Sequence, residues 1–159
     1  MAKKQKPIYC WDTTTLLAWL KNEDSAPLAD IALVVQEIDS GDATLVIPTT
    51  VYTELLEAAL STEQQAVLDA FLKRSNVISA DLTVAIARRA ADIRHRGHCE
   101  TPKRKVRTPD SQMAATALAL SAAALHTLDS DLLRLNNHPT AECLRITKPI
   151  PLSGQHGLV

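Results

Sequence analysis

The spacing of apolar residues changes period several times along the chain. Ile8 to Trp11 is an unbroken β-favouring run behind Pro7, which predicts a buried strand. From Leu16 the apolar positions Leu16, Leu17 and Leu20 recur at helical spacing, so the period switches across Asp12 to Thr15. A second helix is predicted from about Leu28, through Ile31, Ala32, Val35 and Ile38, with a turn at residues 40–42. A short strand follows over Thr44 to Ile47, stopped by Pro48. One helix opens behind Thr49, and "TEQQAVLDAFLKRS" carries the apolar face of the next. "NVISA" reads as a third strand, Leu82 to Arg96 as a helix and Gly97 to Arg107 as a polar, basic loop. Thr108 as a cap and Pro109 in the first turn lead into the helix "DSQMAATALALSAAAL". "HTLD" and "CLRIT" complete the set as strands four and five, separated by a helical turn, "SDLLRL".

Strands alternating with helices at this rhythm predict an α/β fold, a central parallel sheet of about five short strands with helices on both faces. The 159 residues fit a single domain over 1–159, with the basic loop 97–107 inside it and a tail at 148–159. A chain of that length buries about two-thirds of its unfolded surface without disulfides or a structural metal. Five aromatic residues leave the packing to small aliphatics, alanine above all. Cys10, Cys99 and Cys143 are odd in number and form no CxxC pair, which suits a reducing compartment and points to the cytoplasm. Asp12 interrupts the N-terminal apolar stretch, and no small-residue cleavage site follows it. The longest apolar stretch, Met113 to Leu125, contains Thr116 and Ser121 and falls short of the ~20 residues of a membrane span. The expectation is a soluble protein.

A formal net charge of −1 conceals an uneven distribution. Residues 88–107 hold eight of the seventeen basic side chains: Arg88, Arg89, Arg94, Arg96, Lys103, Arg104, Lys105 and Arg107. Such a cluster suits phosphate contacts, and a solvated helix face running into a charged loop accounts for it equally well. "HRGHC" brings His95, His98 and Cys99 close together, but adjacent residues rarely ligate one zinc ion and no second ligand pair follows.

The acids follow a different pattern. Asp12 ends the first strand, where an N-cap role alone would explain a single aspartate. Glu54 lies one turn into the helix after the second strand, beside Val51 and Leu55, and four residues from Thr50 rather than the three of a capping box. Asp110 opens the alanine-rich helix, and Asp129 ends the fourth strand. A parallel sheet would bring all four to one edge, where ligands bind in open α/β folds. Four clustered carboxylates repel one another unless protonated or neutralised, and the ordinary neutraliser is a hard divalent cation.

Four segments in order, "IYCWDTTTLL", "TVYTELLEA", "TPDSQMAATAL" and "LHTLDSDLLRL", resemble the PIN domains, a family of metal-dependent nucleases. The resemblance covers Ile8 to Thr147 and implies a PIN-like three-layer fold with Asp12, Glu54, Asp110 and Asp129 as a catalytic, metal-binding quartet. It implies supporting roles for Thr14, at a position where the family has a small polar residue, and for Thr127, the hydroxyl of the last motif. Many small bacterial members are VapC-type toxins, ribonucleases held inactive by an antitoxin. The long basic loop departs from that pattern, as does Leu132, where an aromatic residue is common.

The function expected is therefore an endoribonuclease that uses Mg²⁺ or Mn²⁺ to hydrolyse RNA phosphodiesters, as the toxin of a toxin–antitoxin pair. Lys103, Arg104, Lys105 and Arg107 would bind the RNA; an antitoxin and a second copy of the chain are the protein partners the resemblance admits. A PIN-like module that processes or binds RNA or protein without a toxin role is the alternative. Against pure binding, four clustered acids repel the phosphates a binder must attract. A carboxylate–metal phosphatase would need a phosphoryl-carrying Asp elsewhere in the chain than "TLDSD". Asp131 competes with Asp129: a helix starting at Ser130 would turn Asp131 away, whereas a continuing strand would keep both acids on one side.

Overall fold

The computed structural model describes residues 5–100, 106–138, 141 and 144–152, with residues 98–100 described by backbone alone. Five strands, β1 (Ile8–Trp11), β2 (Thr44–Pro48), β3 (Val77–Ala80), β4 (Ala124–His126) and β5 (Arg145–Thr147), form one parallel sheet in the order β3-β2-β1-β4-β5. The described helices are α1 (Thr13–Lys21), α2 (Leu28–Asp39), α3 (Thr49–Glu57), α4 (Thr62–Leu72), α5 (Val84–Glu100), α6 (Thr108–Ala119) and α7 (Ser130–Leu133).

This strand order reverses direction once. The chain builds outward from β1 to β3, then crosses to the other side of β1 to lay down β4 and β5. Right-handed crossovers put α1–α4 on one face and α5–α7 on the other, and they open a crevice between the carboxyl ends of β1 and β4. The register sets Trp11 beside His126, so Asp12 and Thr127 leave the sheet side by side.

The two faces are packed differently. Under α1–α4, Trp11 sits among Trp19 and Phe71 with ring centroids 6.3 and 6.2 Å away, and Trp11 and Phe71 are almost fully buried. The Trp11 indole N–H donates to His126 Nδ1 at 3.1 Å. Tyr9, also on this strand, donates its hydroxyl to Glu37 at 2.6 Å and accepts the Leu152 amide at 2.7 Å. On the opposite face α6 is lined by fully buried Ala114, Ala115 and Ala117, whose small side chains let the helix lie close to β2 and β4.

Several boundaries differ from those predicted; α6, expected to run to Leu125, ends at Ala119. Helix α5 runs through Gly97 to Glu100 instead of ending at Arg96, because Gly97 serves close packing: a Cβ there would stand 2.7 Å from Val106 Cγ2. The basic loop is correspondingly shorter. Strand β4 begins at Ala124 and ends at His126, leaving Thr127, Leu128 and Asp129 outside it, so Asp129 does not end the strand but stands at the cap of α7. Helix α6 begins at Thr108 itself, with Arg107 at the cap position and no side-chain cap bond, so Thr108 is not the cap.

Candidate functional site

The chain end of β1 carries the first acid. Asp12 has an extended backbone, and its carboxylate accepts the Thr15 amide at 3.0 Å, so it does cap α1. It also lines a cleft of about 270 Å³ with Glu54, Arg107, Asp110 and Asp129. A cap and a cleft acid are thus one residue. Two hydroxyls fix its orientation. Thr14 Oγ1 donates to the Asp12 carboxylate at 2.8 Å while accepting the Leu128 amide at 2.9 Å. Thr127 Oγ1 donates to Asp12 Oδ2 while accepting the Asp129 amide at 3.0 Å. The segment after β4 is thereby latched to the end of β1. Asp12 is only 5 % exposed, and burial raises its pKa against the lowering pull of Thr127, the Thr15 amide and Thr14.

Asp129 repeats the arrangement on the other side of the crevice. Its Oδ1 accepts the amides of Asp131 at 2.7 Å and Leu132 at 3.4 Å, capping α7. Burial works to raise its pKa, but those amides and the Arg107 guanidinium outweigh it and hold the carboxyl below its ordinary value. Asp131 is half-exposed and pairs with Arg134 at 3.1 Å. The helical turn at Ser130 separates the two acids: Asp129 lines the cleft and Asp131 is not among its lining residues.

Asp110 lies in the first turn of α6, buried, with its pKa raised chiefly by desolvation and lowered in part by Arg107. Glu54 projects from α3 into the same cleft; it is exposed, and no hydrogen bond or ion pair holds it among the described residues. The structure therefore brings Asp12, Glu54, Asp110 and Asp129 to one cleft, with Thr14 lining it and Thr127 behind Asp12.

Arg107 occupies a place that sequence reasoning did not give it. Assigned there to the basic loop, it turns into the cleft and bridges two acids. Its Nε donates to Asp110 Oδ2 at 3.0 Å and its Nη2 to Asp129 Oδ2 at 2.7 Å, with Asp131 Oδ2 3.9 Å away. These bonds raise its pKa above the already high value of a guanidinium. The signal lay in the spacing: a basic residue three before an acid, astride a helix start, favours an i,i+3 ion pair. Lys103, Arg104 and Lys105 lie outside the described residues, as do the side chains of His98 and Cys99.

The donor set is all oxygen, which suits Mg²⁺ or Mn²⁺ rather than a softer ion. A buried Asp12 beside further carboxylates also presents charge that a cation would offset. The residues fit the ion in kind. As they stand, no three acids or imidazoles among the described residues are close enough to share one, and a guanidinium holds Asp110 and Asp129.

Comparison with known proteins agrees with this architecture. The PIN domain family matches residues 9–137. No curated protein matches the chain. Solved structures with the same fold include VapBC2 from Rickettsia felis bound to a DNA fragment from its promoter, 19 % identical with a TM-score of 0.60, covering 87 % of this chain and 96 % of that one. The Mycobacterium tuberculosis VapC20 toxin, described as cleaving the sarcin–ricin loop, is 14 % identical with a TM-score of 0.56, covering 78 % and 92 %. FitAB bound to an IR36 DNA fragment is 14 % identical with a TM-score of 0.59, covering 93 % and 99 %. With a family match across most of its length and the family's fold throughout, the chain belongs to the PIN domain family.

Proposed function

We propose that this PIN domain is a divalent-metal-dependent endoribonuclease and the toxin of a toxin–antitoxin pair. The observation that carries the reading is the convergence of Asp12, Glu54, Asp110 and Asp129 on one cleft at the switch point of the sheet. Support for RNA as substrate comes from the fold shared with a toxin described as cleaving the sarcin–ricin loop, and support for an antitoxin partner from the fold shared with VapBC and FitAB complexes.

In this reading Asp12, Asp110 and Glu54 hold Mg²⁺ or Mn²⁺, and Asp129 completes or orients the ligand set. A bound cation would supply a more acidic water for attack on phosphorus and would offset charge on the phosphate. The protein's part is placement. Thr14 and Thr127 spend their protons on Asp12, fixing its carboxylate at the cleft. The α7 cap fixes Asp129 by its Oδ1, leaving Oδ2 toward Arg107. No side-chain nucleophile is needed, and RNA would reach the cleft along Lys103, Arg104 and Lys105.

The direct test is cleavage of RNA with and without Mg²⁺ or Mn²⁺; activity that persists in chelator would overturn the metal assignment. Asp129→Asn should lower Mg²⁺-dependent cleavage ~100-fold, the upper order for a disturbed metal environment, whereas Asp131→Asn should cost much less. Both variants belong in one Mg²⁺ titration, since excess ion rescues a weakened site, and a larger loss for Asp131→Asn would reverse the assignment. Replacing Lys103, Arg104 and Lys105 together by alanine should flatten the salt dependence of RNA binding by roughly one unit of slope per lost phosphate contact. An unchanged slope would make the loop a solvated surface.

A further inference from the structure

Arg107 is held in the cleft from both ends. On the backbone side, Val106 is buried, its carbonyl accepts Arg94 Nε at 3.3 Å, and its side chain packs against the bare backbone of Gly97. Arg107, the residue that follows and the N-cap of α6, therefore starts from a fixed point. On the side-chain side, the guanidinium forks across two carboxylates: Nε and Nη2 reach the two oxygens of Asp110 at 3.0 and 3.4 Å, and Nη2 also reaches Asp129 at 2.7 Å. Asp129 Oδ1 is committed to the α7 amides. Of the four oxygens these two acids possess, three face the guanidinium and the fourth caps a helix. An oxygen-coordinated Mg²⁺ needs ligand distances of ~2.1 Å, which a guanidinium lying between the same two carboxylates excludes.

We infer that Arg107 is a built-in cation that competes with the divalent ion for Asp110 and Asp129, and that metal binds only as the guanidinium swings out. The inference rests on the metal-site reading above. It is reasonable sterically, because the Arg107 side chain is 52 % exposed and can leave the cleft without disturbing Val106 or the start of α6. The consequence is a threshold. Without metal the guanidinium offsets part of the charge on Asp110 and Asp129 and holds the cleft together; metal must displace an internal competitor whose effective concentration does not dilute.

Two measurements on the full chain test this. Calorimetric titration with Mg²⁺ should show Arg107→Gln binding at least about tenfold more tightly than the wild type, the change expected if the guanidinium leaves only about a tenth of molecules competent. Arg107→Lys, whose single ammonium cannot fork two carboxylates, should fall between them. Removing a positive charge would tighten binding even without competition, so the second measurement decides. In the metal-free wild type the Arg107 Nε–H proton should be protected from solvent exchange by nitrogen-resolved NMR, and saturating Mg²⁺ should abolish that protection. Protection that survives saturation means arginine and metal coexist and overturns the proposal, as does equal Mg²⁺ affinity in the wild type and Arg107→Gln. If neither protein binds Mg²⁺ or Mn²⁺, the metal-site reading itself falls and takes this inference with it.

Discussion

Asp12→Asn is expected to remain folded and to lose at least ~10³-fold in Mg²⁺-dependent RNA cleavage, because metal assistance is worth several kcal/mol and each 1.36 kcal/mol is tenfold in rate. Folding survives for a specific reason. Asn caps helices about as well as Asp, and its side-chain oxygen can still accept the Thr15 amide and the Thr14 hydroxyl. The substitution also removes a carboxylate whose pKa is raised by burial. The sign is clear: an acid with its folded pKa above the unfolded value destabilises the fold above that folded pKa, and the penalty fades as pH falls to the unfolded value. Asp12→Asn should therefore melt no lower than the wild type at neutral pH, and its margin over the wild type should shrink on acidification. Thermal unfolding across pH, alongside calorimetry with Mg²⁺, checks both halves. Undiminished Mg²⁺ binding in this variant would remove Asp12 from the site, and a collapsed melting temperature would show that its structural role dominates.

The largest effect on stability is expected at Trp11. Trp11→Ala should cost ~3–5 kcal/mol, the range for deleting a buried aromatic side chain, and that is a large part of the ~5–15 kcal/mol that holds a typical domain folded. The indole packs against both Trp19 and Phe71, whose own ring centroids stand 4.6 Å apart, so these two rings already hold each other and neither can move far to close the gap. It also supplies the donor to His126 Nδ1. Burial and the charge of Arg145 push that imidazole down to about 3, so it is neutral at ordinary pH and depends on the indole for a partner. Trp11→Phe would keep most of the packing but leave Nδ1 unpaired, at ~1–3 kcal/mol. Urea denaturation of both variants separates the two contributions. A cost below ~1 kcal/mol for Trp11→Ala would mean that the core does not depend on this cluster.

How much could be read from the chain depended on whether the signal was local. The strand-end placement of Asp12 was legible because the period changes there abruptly, from a continuous run to helical spacing. The cap and site readings of Asp12 do not compete in space, since the residue accepts the Thr15 amide and also lines the cleft. Strand β4 was placed late because alanine favours helix over strand and so carried the predicted helix on to Leu125, and the turn that divides α6 from β4 is made by Ser121, which takes a left-handed φ of 54° without a glycine to announce it. Gly97 misled in the opposite sense: it reads as a breaker, yet the helix continues through it and its missing side chain admits Val106. Arg107 was only half legible: its i,i+3 spacing announces Asp110 but not Asp129. Its contact with Asp129 spans 22 residues and exists only because the topology sets α6 beside the end of β4.

That Asp12 and Asp129 each cap a helix bears on how such a chain could lose its chemistry over time. A lineage that no longer needed cleavage could not discard these acids freely, because alanine at either place strips the first amides of α1 or α7 at ~1 kcal/mol each. Decay would be channelled toward asparagine or serine, which keep the amides satisfied and abolish the charge. Glu54, which makes no hydrogen bond or ion pair among the described residues, could drift to any residue a helix accepts. An inactive descendant would thus be recognised by a polar, uncharged residue where each capping acid stood and by an unrestrained substitution in α3, with the sheet and its crevice unchanged.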